Sequence, residues 1–501
     1  MQLPVSVKHI LDELQARGYE AYAVGGCVRD ALLGREPEDW DVTTSAEPEE
    51  VKAIFPVTID TGIEHGTVTV RHNKTNYEIT TFRTDGEYTD HRHPEEVHFA
   101  KTLEEDLLRR DFTINAMAYC EGAATNARDD GDNDAKTESG SGAKRGLVDL
   151  YGGQQDLADG IIRCVGDPRE RFEEDALRIL RAFRFAAQLS DTLTLNQGSE
   201  GEGAQASDRA KVFKIEPATR EAIRDCREGL RYISAERIQV EMTKILTSAH
   251  PDILRDMYEL GVTQIILPEI DAMMETEQHF VHHDKTVGEH TLAALMALAE
   301  KGQNDKALGW TMLLHDSGKP RCKVTDEDGQ DHFKGHAAVS TEIAGDVMNR
   351  MKMDNATRDR VKRLVYHHDY RMLIEKKDGD YDRASYRRVR RALNKIGEEY
   401  FDDYCLVRRA DILAQSMYMR EEKLANVAAV EEIYHRILEE QDCVSLKDLA
   451  VTGQDLIAEG VTPGPEIGDI LKEMLDWVLD DPELNDRETL LARWKATQQA
   501  K

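Results

Sequence analysis

The N-terminal stretch MQLPVSVKHILDELQARGYEAY reads as an amphipathic helix, with apolar residues returning every three or four positions. From Ala21 to about Cys120 short apolar runs alternate with helical patterns, which predicts a mixed α/β unit. Two segments break the pattern, 121–146 and 190–211. Both are poor in apolar residues and rich in Gly, Ser, Asp and Asn, the composition of solvated, mobile insertions. After Glu216 helical periodicity runs almost throughout, with loops expected around Pro268, Asp326 to Gly329 and Lys376 to Asp382, so the C-terminal half is predicted all-α.

Composition narrows the classes. At 501 residues the chain is too long for one core, and two to four domains are expected. Its net charge of −31, from 65 Lys and Arg against 96 Asp and Glu, argues against passive adhesion to nucleic acid or anionic membrane. Any nucleic acid is then held by local basic stripes, for which SYRRVRRALNKIG (Ser385 to Gly397) is a candidate. Seven cysteines without a CxxC pair fit a reducing compartment, the cytoplasm, rather than a disulfide framework or a thiolate zinc site. No stretch approaches about 18 apolar residues, so neither a membrane span nor secretion is predicted.

The stretch AYAVGGCVRDALLGREPEDWDVTTS carries the first candidate chemistry. A β-type run, Ala21 to Val24, meets Gly25 and Gly26 and then a helix expected to start near Val28, which offers backbone N–H groups to triphosphate oxygens. Beyond that helix Asp39 and Asp41 stand two apart, and in a strand residues i and i+2 share a face. Two converging carboxylates are hard oxygen ligands of the kind Mg²⁺ requires, with substrate phosphates completing its octahedron. In YEITTFR, alternation sets Glu78 with Thr80 and Phe82 on one face, making Glu78 a candidate third carboxylate.

Four ordered motifs then carry a family resemblance: Gly-Gly-Cys-Val-Arg-Asp, Asp-Trp-Asp-Val-Thr-Thr, Arg-Arg-Asp-Phe-Thr-Ile-Asn-Ala and Glu-Asp-Ala-Leu-Arg-Ile-Leu-Arg-Ala-Phe-Arg-Phe. Through them the chain resembles the class II CCA-adding enzymes (tRNA nucleotidyltransferases) and the related bacterial poly(A) polymerases. The resemblance implies a polymerase-β-like head followed by a helical neck, body and tail, and addition of C, C and A to the 3′ end of tRNA from CTP and ATP, without a nucleic-acid template. Carried over by position, Asp39 and Asp41 are the metal-binding carboxylates, Gly26 and Arg29 contact the nucleotide, and Arg110 meets the triphosphate. Asp175 and Arg178, three apart in a helical run, are expected to read the Watson–Crick edge of C or A, with Arg181 and Arg184 continuing toward phosphates. RTDGEYTDHRHPEEVHF (Arg83 to Phe99) resembles the flexible loop of enzymes that complete the terminal A. YISAERIQVEMTKIL (Tyr232 to Leu246) resembles a later helical motif in which Ser234, Glu236 and Arg237 are expected to be structural.

The C-terminal half supplies TVGEH, LLHDSGKP, KGHAAVS, VYHHDY and RRADILAQ in order, and with them His290, His315, Asp316, His336, His367 or His368, and Asp411. The ordered set resembles the HD superfamily of metal-dependent phosphohydrolases. Imidazole with carboxylate suits Mn²⁺, Fe²⁺, Ni²⁺ or Zn²⁺ better than Mg²⁺ alone. The resemblance implies a phosphatase or 2′,3′-cyclic phosphodiesterase able to clean a damaged tRNA end. The expected divisions are a nucleotidyltransferase head at 1–150, a helical neck and body at 151–275, an HD domain at 276–420 and a helical tail at 421–501. Two other readings compete: a poly(A) polymerase, and an HD hydrolase whose head only binds RNA.

Overall fold

Two strands that carry no exposed residue fix the centre of the first half. β1 (Ala21–Val24) and β2 (Val42–Thr44) are buried at every position, as expected of central strands covered on both faces. The computed structural model describes residues 1–85, 97–121, 146–190, 212–279, 285–377 and 379–499. Residues 122–145 and 191–211 of the two insertions and 86–96 of the Arg83 to Phe99 loop therefore lie outside the described residues.

β1 and β2 belong to a seven-stranded sheet of order β3-β4-β5-β2-β1-β8-β9, with β3 at Thr58–Gly62, β4 at Thr67–His72, β5 at Thr75–Thr81, β8 at Met117–Cys120 and β9 at Gly146–Asp149. β6 (Arg83–Asp85) and β7 (Val97–Phe99) pair separately. Every neighbour in the large sheet is antiparallel except β2 with β5, where Val42 lies opposite Ile79. That parallel pair brings the preceding residues, Asp41 and Glu78, in from the same end.

Helices cover the sheet. α1 (Val5–Ala16) buries Val7, Ile10, Leu11 and Leu14, the spacing that makes one apolar stripe, and packs on β1. α2 (Gly26–Leu32), α3 (Pro48–Ile54), α4 (Leu103–Leu108) and α5 (Gly153–Asp159) follow. The chain then turns helical through α6 (Pro168–Glu174), α7 (Leu177–Leu189), α8 (Pro217–Cys226), α9 (Ala235–Leu246), α10 (Leu254–Glu259) and α11 (Thr263–Ile266). α7 packs on α9. Everything from Met1 to Pro268 forms one compact unit, and Glu269 to Lys501 a second.

The second unit holds most of α12 (Pro268–Met274), then α13 (Val287–Ala299), α14 (Lys306–Leu314), α15 (Lys319–Cys322), α16 (His336–Arg350), α17 (Asn355–His367), α18 (Arg383–Ile396), α19 (Phe401–Ala414), α20 (Arg420–Glu439), α21 (Gly453–Ala458), α22 (Pro465–Asp480) and α23 (Arg487–Gln499). α13 and α14 are apolar on nearly every side and take the interior, against α19 and α17 respectively. Its last helices close over a separate apolar cluster that includes Leu456, Met474, Val478, Leu490 and Trp494.

The all-α expectation needs small corrections. Val324–Thr325 pairs with Asp331–His332, and Lys376–Lys377 with Asp380–Tyr381, so one expected loop lies at the tip of a short hairpin and the other contains one. Pro268 begins a helix instead of a loop, a position that suits a residue with no N–H to satisfy. No described helix is long and apolar enough to cross a membrane.

Candidate functional site

β1 runs into Gly25, whose φ of 82° and ψ of −130° fall where only glycine is at ease. The turn is crowded as well: a Cβ on Gly25 would sit 3.0 Å from Arg110 Nη1. α2 starts at Gly26, two residues earlier than its apolar pattern indicates. Asp41 precedes β2, yet its carbonyl accepts from the Val24 N–H at 3.0 Å, which holds it in the ladder. Asp39 lies in the loop before it, so the pair is not an alternating stretch of one strand. Glu78 is exposed on β5, with Thr80 partly so, whereas Phe82 is fully buried because the alternation ends with the strand at Thr81.

These carboxylates feel one another. Partial enclosure raises the Asp41 carboxyl, the negative charges of Glu78 and Asp39 add to the rise, and Arg110 opposes it. Mutually repelling carboxylates of this kind suit a divalent cation. They are not closed into a cluster: among the described residues, the sets of three or more ligand atoms that all lie within 4.8 Å of one another are both in the second unit.

A chain of largely buried polar contacts fixes the arginines near the Gly25 turn. Arg29 forks onto Asp30 at 2.8 and 2.9 Å and donates to Asn115 Oδ1 at 2.7 Å. Asn115 donates to Asp111 Oδ1 at 3.1 Å, and Asp111 Oδ2 accepts from Arg181 Nε at 2.7 Å. Burial alone would raise Asp111, but Arg181 and Asn115 outweigh it and hold the carboxyl at about 2. The guanidinium carbons of Arg29, Arg181 and Arg184 stand 5.1, 5.3 and 4.2 Å from the Phe185 ring centre. Arg184 lies 3.1 Å from Glu241, and burial together with Arg181 lowers its guanidinium to about 10. Buried Asp106 holds Arg109 at 2.8 Å and Arg110 at 3.3 Å.

Asp175 and Arg178 do not share one helical face. Asp175 is extended, between α6 and α7, with its carboxylate accepting from the Leu177 N–H at 3.0 Å and from both ends of Arg237 at 3.3 and 2.7 Å. Arg178 turns to Glu174 at 2.5 Å and to the carbonyls of Arg171 and Arg109, each at 3.1 Å. Arg237 thus positions Asp175. The sequence placed Arg237 among structural residues without a partner, because no one-dimensional spacing links positions 175 and 237.

In the second unit two triads meet on one carboxylate. His290, His315 and Asp411 form one group; Asp316, His336 and His368 form the other. Asp316 Oδ2 lies 3.5 Å from His290 Nε2 and 3.3 Å from His315 Nε2, while its Oδ1 lies 3.4 and 3.5 Å from His336 and His368 Nε2. Of the two adjacent histidines, His368 is the one brought in. His367 stands edge-on to Tyr366 and Tyr370 instead, because successive residues at a helix end point about 100° apart.

The imidazoles are oriented for ligation. Nδ1 of His315, His336 and His368 faces the carbonyl of Met312, Phe333 and Val365 at 2.8, 2.9 and 2.7 Å. A carbonyl can only accept, so Nδ1 carries the proton and the Nε2 lone pair points inward. Nε2 of His336 and His368 approach to 3.1 Å, a repulsive contact that an intervening cation relieves. Gly318 lets this corner close, since a Cβ there would lie 2.5 Å from the His336 carbonyl oxygen. In the basic stripe of α18, Arg388, Arg390 and Arg391 bond to Leu373 O, Leu479 O and Asp480 within the unit.

Comparison with known proteins places this geometry. Residues 21–163 match the family model described as Poly A polymerase head domain, residues 212–274 "Probable RNA and SrmB- binding site of polymerase A", and residues 336–493 tRNA nucleotidyltransferase domain 2. The CCA-adding enzyme of Levilactobacillus brevis is 32% identical over 484 residues, 96% of this chain and 95% of that one. That of Ligilactobacillus salivarius is 45% identical over 242 residues, 48% of this chain and 49% of its own. Among solved structures, the Bacillus stearothermophilus CCA-adding enzyme in complex with CTP matches with a TM-score of 0.65 and 26% identity over the whole of both chains. The Thermotoga maritima CCA-adding enzyme complexed with tRNA shares the fold at a TM-score of 0.52 and 19% identity, covering 98% of this chain and 94% of that one.

Two stability measurements check the first site. Gly25→Ala is expected to cost about 1–3 kcal/mol in urea unfolding, from the strained backbone and the displaced Arg110; an unchanged midpoint would contradict the tight turn. Because the folded Asp111 carboxyl is depressed to about 2, its contribution is fully present above the unfolded value near 4 and is lost as pH falls toward 2. Asp111→Asn should therefore lose about 2 kcal/mol at pH 7 and converge with the parent chain in acid; parallel stability curves would refute the assignment.

Proposed function

We propose, because this chain belongs to the CCA-adding enzyme family, that it adds C, C and A to the 3′ end of tRNA from CTP and ATP without a template. In each step the RNA 3′ hydroxyl oxygen bonds to the α-phosphorus, the bond to the β-phosphate oxygen breaks, and pyrophosphate leaves while the hydroxyl proton passes to water. The observation that carries this reading is the parallel pairing of β2 with β5, which sets Asp41 and Glu78 at one end with Asp39 just before, together with Arg110 packed against the Gly25 turn. Asp39 and Asp41, beside Glu78, would hold a divalent cation, Mg²⁺ in this reading, which would lower the pKa of the attacking hydroxyl and neutralise phosphate charge.

The chain's own residues then bind and select. Gly26 gives the triphosphate close access to the start of α2, and Arg29 and Arg110 supply cationic contacts. Arg181 and Arg184 line the same basic wall while anchored to Asp111 and Glu241. Asp175, fixed by Arg237, presents an acceptor to the exocyclic amine of C or A, and Arg178 leaves Glu174 to complete the base edge. Full-length membership in the family favours this reading over a poly(A) polymerase, and the seven free cysteines suit a cytoplasmic setting.

A second activity rests on a separate observation, the sharing of Asp316 between two ligand triads. In this reading the second unit is a metal-dependent phosphoesterase of HD type, with His290, His315, Asp411, His336 and His368 grouped about Asp316. Divalent transition ions such as Mn²⁺, Fe²⁺, Ni²⁺ or Zn²⁺, or else Mg²⁺, supply an activated water when bound there. The water oxygen bonds to phosphorus, the ester P–O bond breaks, and the leaving alcohol takes a proton.

The two activities should separate by mutation. Replacing Asp39 and Asp41 by Ala should lower nucleotide incorporation into truncated tRNA by at least about a thousandfold while sparing phosphate release from a phosphomonoester. Asp316→Ala should do the reverse and reduce bound metal, read by elemental analysis. Loss of both activities in either variant would overturn the two-site reading.

A further inference from the structure

Asp316 and Asp411, the two carboxylates of the ligand triads, each carry a cation of the chain, but on different sides. Lys319 Nζ lies 2.7 Å from Asp316 Oδ2, the oxygen that faces His290 and His315 Nε2 at 3.5 and 3.3 Å. The ammonium therefore occupies an oxygen that an ion between those imidazoles would take. Asp411 is divided the other way. Its Oδ1 faces His290 Nε2 at 3.1 Å, while its Oδ2 accepts from Arg408 Nη1 at 3.0 Å and from Gln415 Nε2 at 3.1 Å. An ion on Oδ1 displaces neither donor, so both contacts are compatible with a loaded centre.

Arg408 does more than occupy one oxygen. The same Nη1 donates to the His368 carbonyl at 2.9 Å. A guanidinium nitrogen holds its two N–H groups in one plane, so a single atom grips a carboxylate of the first triad and the backbone of a ligand of the second. His368 caps α17 and Asp411 lies on α19. The His368 ring is already turned inward by the Val365 carbonyl; the Arg408 bond sets where that helix end sits against α19. Gln415 is oriented as well. Lys423 Nζ can only donate and takes Gln415 Oε1 at 2.8 Å, which leaves the amide N–H groups for Asp411. The side chains of Arg408 and Asp411 are 11% and 9% exposed, so water competes weakly for these bonds.

We propose that Arg408 is a positioning residue of the second unit's metal centre: its planar fork commits Asp411 to ligation through Oδ1 alone and, from the same nitrogen, fixes His368 of the other triad. The inference rests on the metal-centre reading of the triads and concerns the geometry of the ligands. Removing Arg408 has two opposing effects. Losing a positive charge beside the centre favours a cation, whereas freeing Asp411 Oδ2 and the His368 backbone disfavours it, and outer-shell partners that orient ligands are worth about 10- to 100-fold in metal affinity. A neutral variant mixes the two. Arg408→Lys separates them, because it keeps the charge on a stem one atom shorter and loses the fork.

Titration of the metal-free full-length chain with Co²⁺, followed by its visible absorption, tests the proposal, since the bands report coordination number and geometry. Arg408→Lys should bind Co²⁺ at least about tenfold more weakly than the parent chain. Its spectrum per bound ion should also change shape and lose intensity, as Asp411 closes on the ion through both oxygens. Arg408→Met should show the same altered spectrum in whichever direction its affinity moves, and serves if the lysine variant does not fold. Parent-like affinity and band shape in Arg408→Lys would overturn the proposal. So would a parent-like spectrum at lower amplitude in both variants, the mark of fewer intact sites and a merely structural role. A parent chain that takes up no Co²⁺ defeats the metal-centre reading and the proposal with it, an outcome distinct from Co²⁺ uptake that is indifferent to Arg408.

Discussion

The first unit depends on keeping one buried carboxylate ionised. Asp111 has little access to water, yet it accepts from its neighbour's N–H, from Asn115 and from Arg181, and through Asn115 it reaches Arg29. That chain ties three distant stretches of sequence: the helix after the glycine turn, the loop before β8, and α7. Removing any one member strands a buried charge or a buried amide, which costs more than the bond itself contributes. Arg29 and Arg181 are therefore held in place through Asn115 and Asp111. Arg237 does the same for Asp175 from α9.

The second unit solves a similar problem with helix ends. His315, Asp316 and His368 sit at or just past helix C-termini and His336 opens α16, where a local carbonyl is available to each Nδ1. Fixing the tautomer through backbone groups leaves every Nε2 directed inward. The carboxylates do not need such help, because burial among cations already holds Asp316 and Asp411 ionised against the cost of desolvation. The first unit fixes guanidinium groups through buried carboxylates; the second fixes imidazole lone pairs through backbone carbonyls.

Much of this was legible in the chain. The Gly-Gly turn after an apolar run, the close pair Asp39 and Asp41, and the ordered His and Asp motifs are local signals; the structure groups the His and Asp residues of the second unit, whereas Asp39 and Asp41 are not closed into a cluster. Four things were not legible. The choice of His368 over His367 depends on the helix phase at one residue, where both fit the motif. The break between α6 and α7, which takes Asp175 off the helix face carrying Arg178, interrupts a run whose periodicity reads as continuous. The pairing of Asp175 with Arg237 joins positions 62 apart, and no periodicity encodes it. The short hairpins at 324–332 and 376–381 were hidden because two-residue strands are below the length at which alternation can be seen.

The central claim is that the first unit builds a defined three-nucleotide end. The most direct measurement is sequencing of the products formed when tRNA lacking its 3′ terminus is incubated with the full-length chain, Mg²⁺, CTP and ATP together. The account predicts products that end in C, C and A and then stop. Long adenosine tails, arrest after two cytidines, or no extension would contradict it.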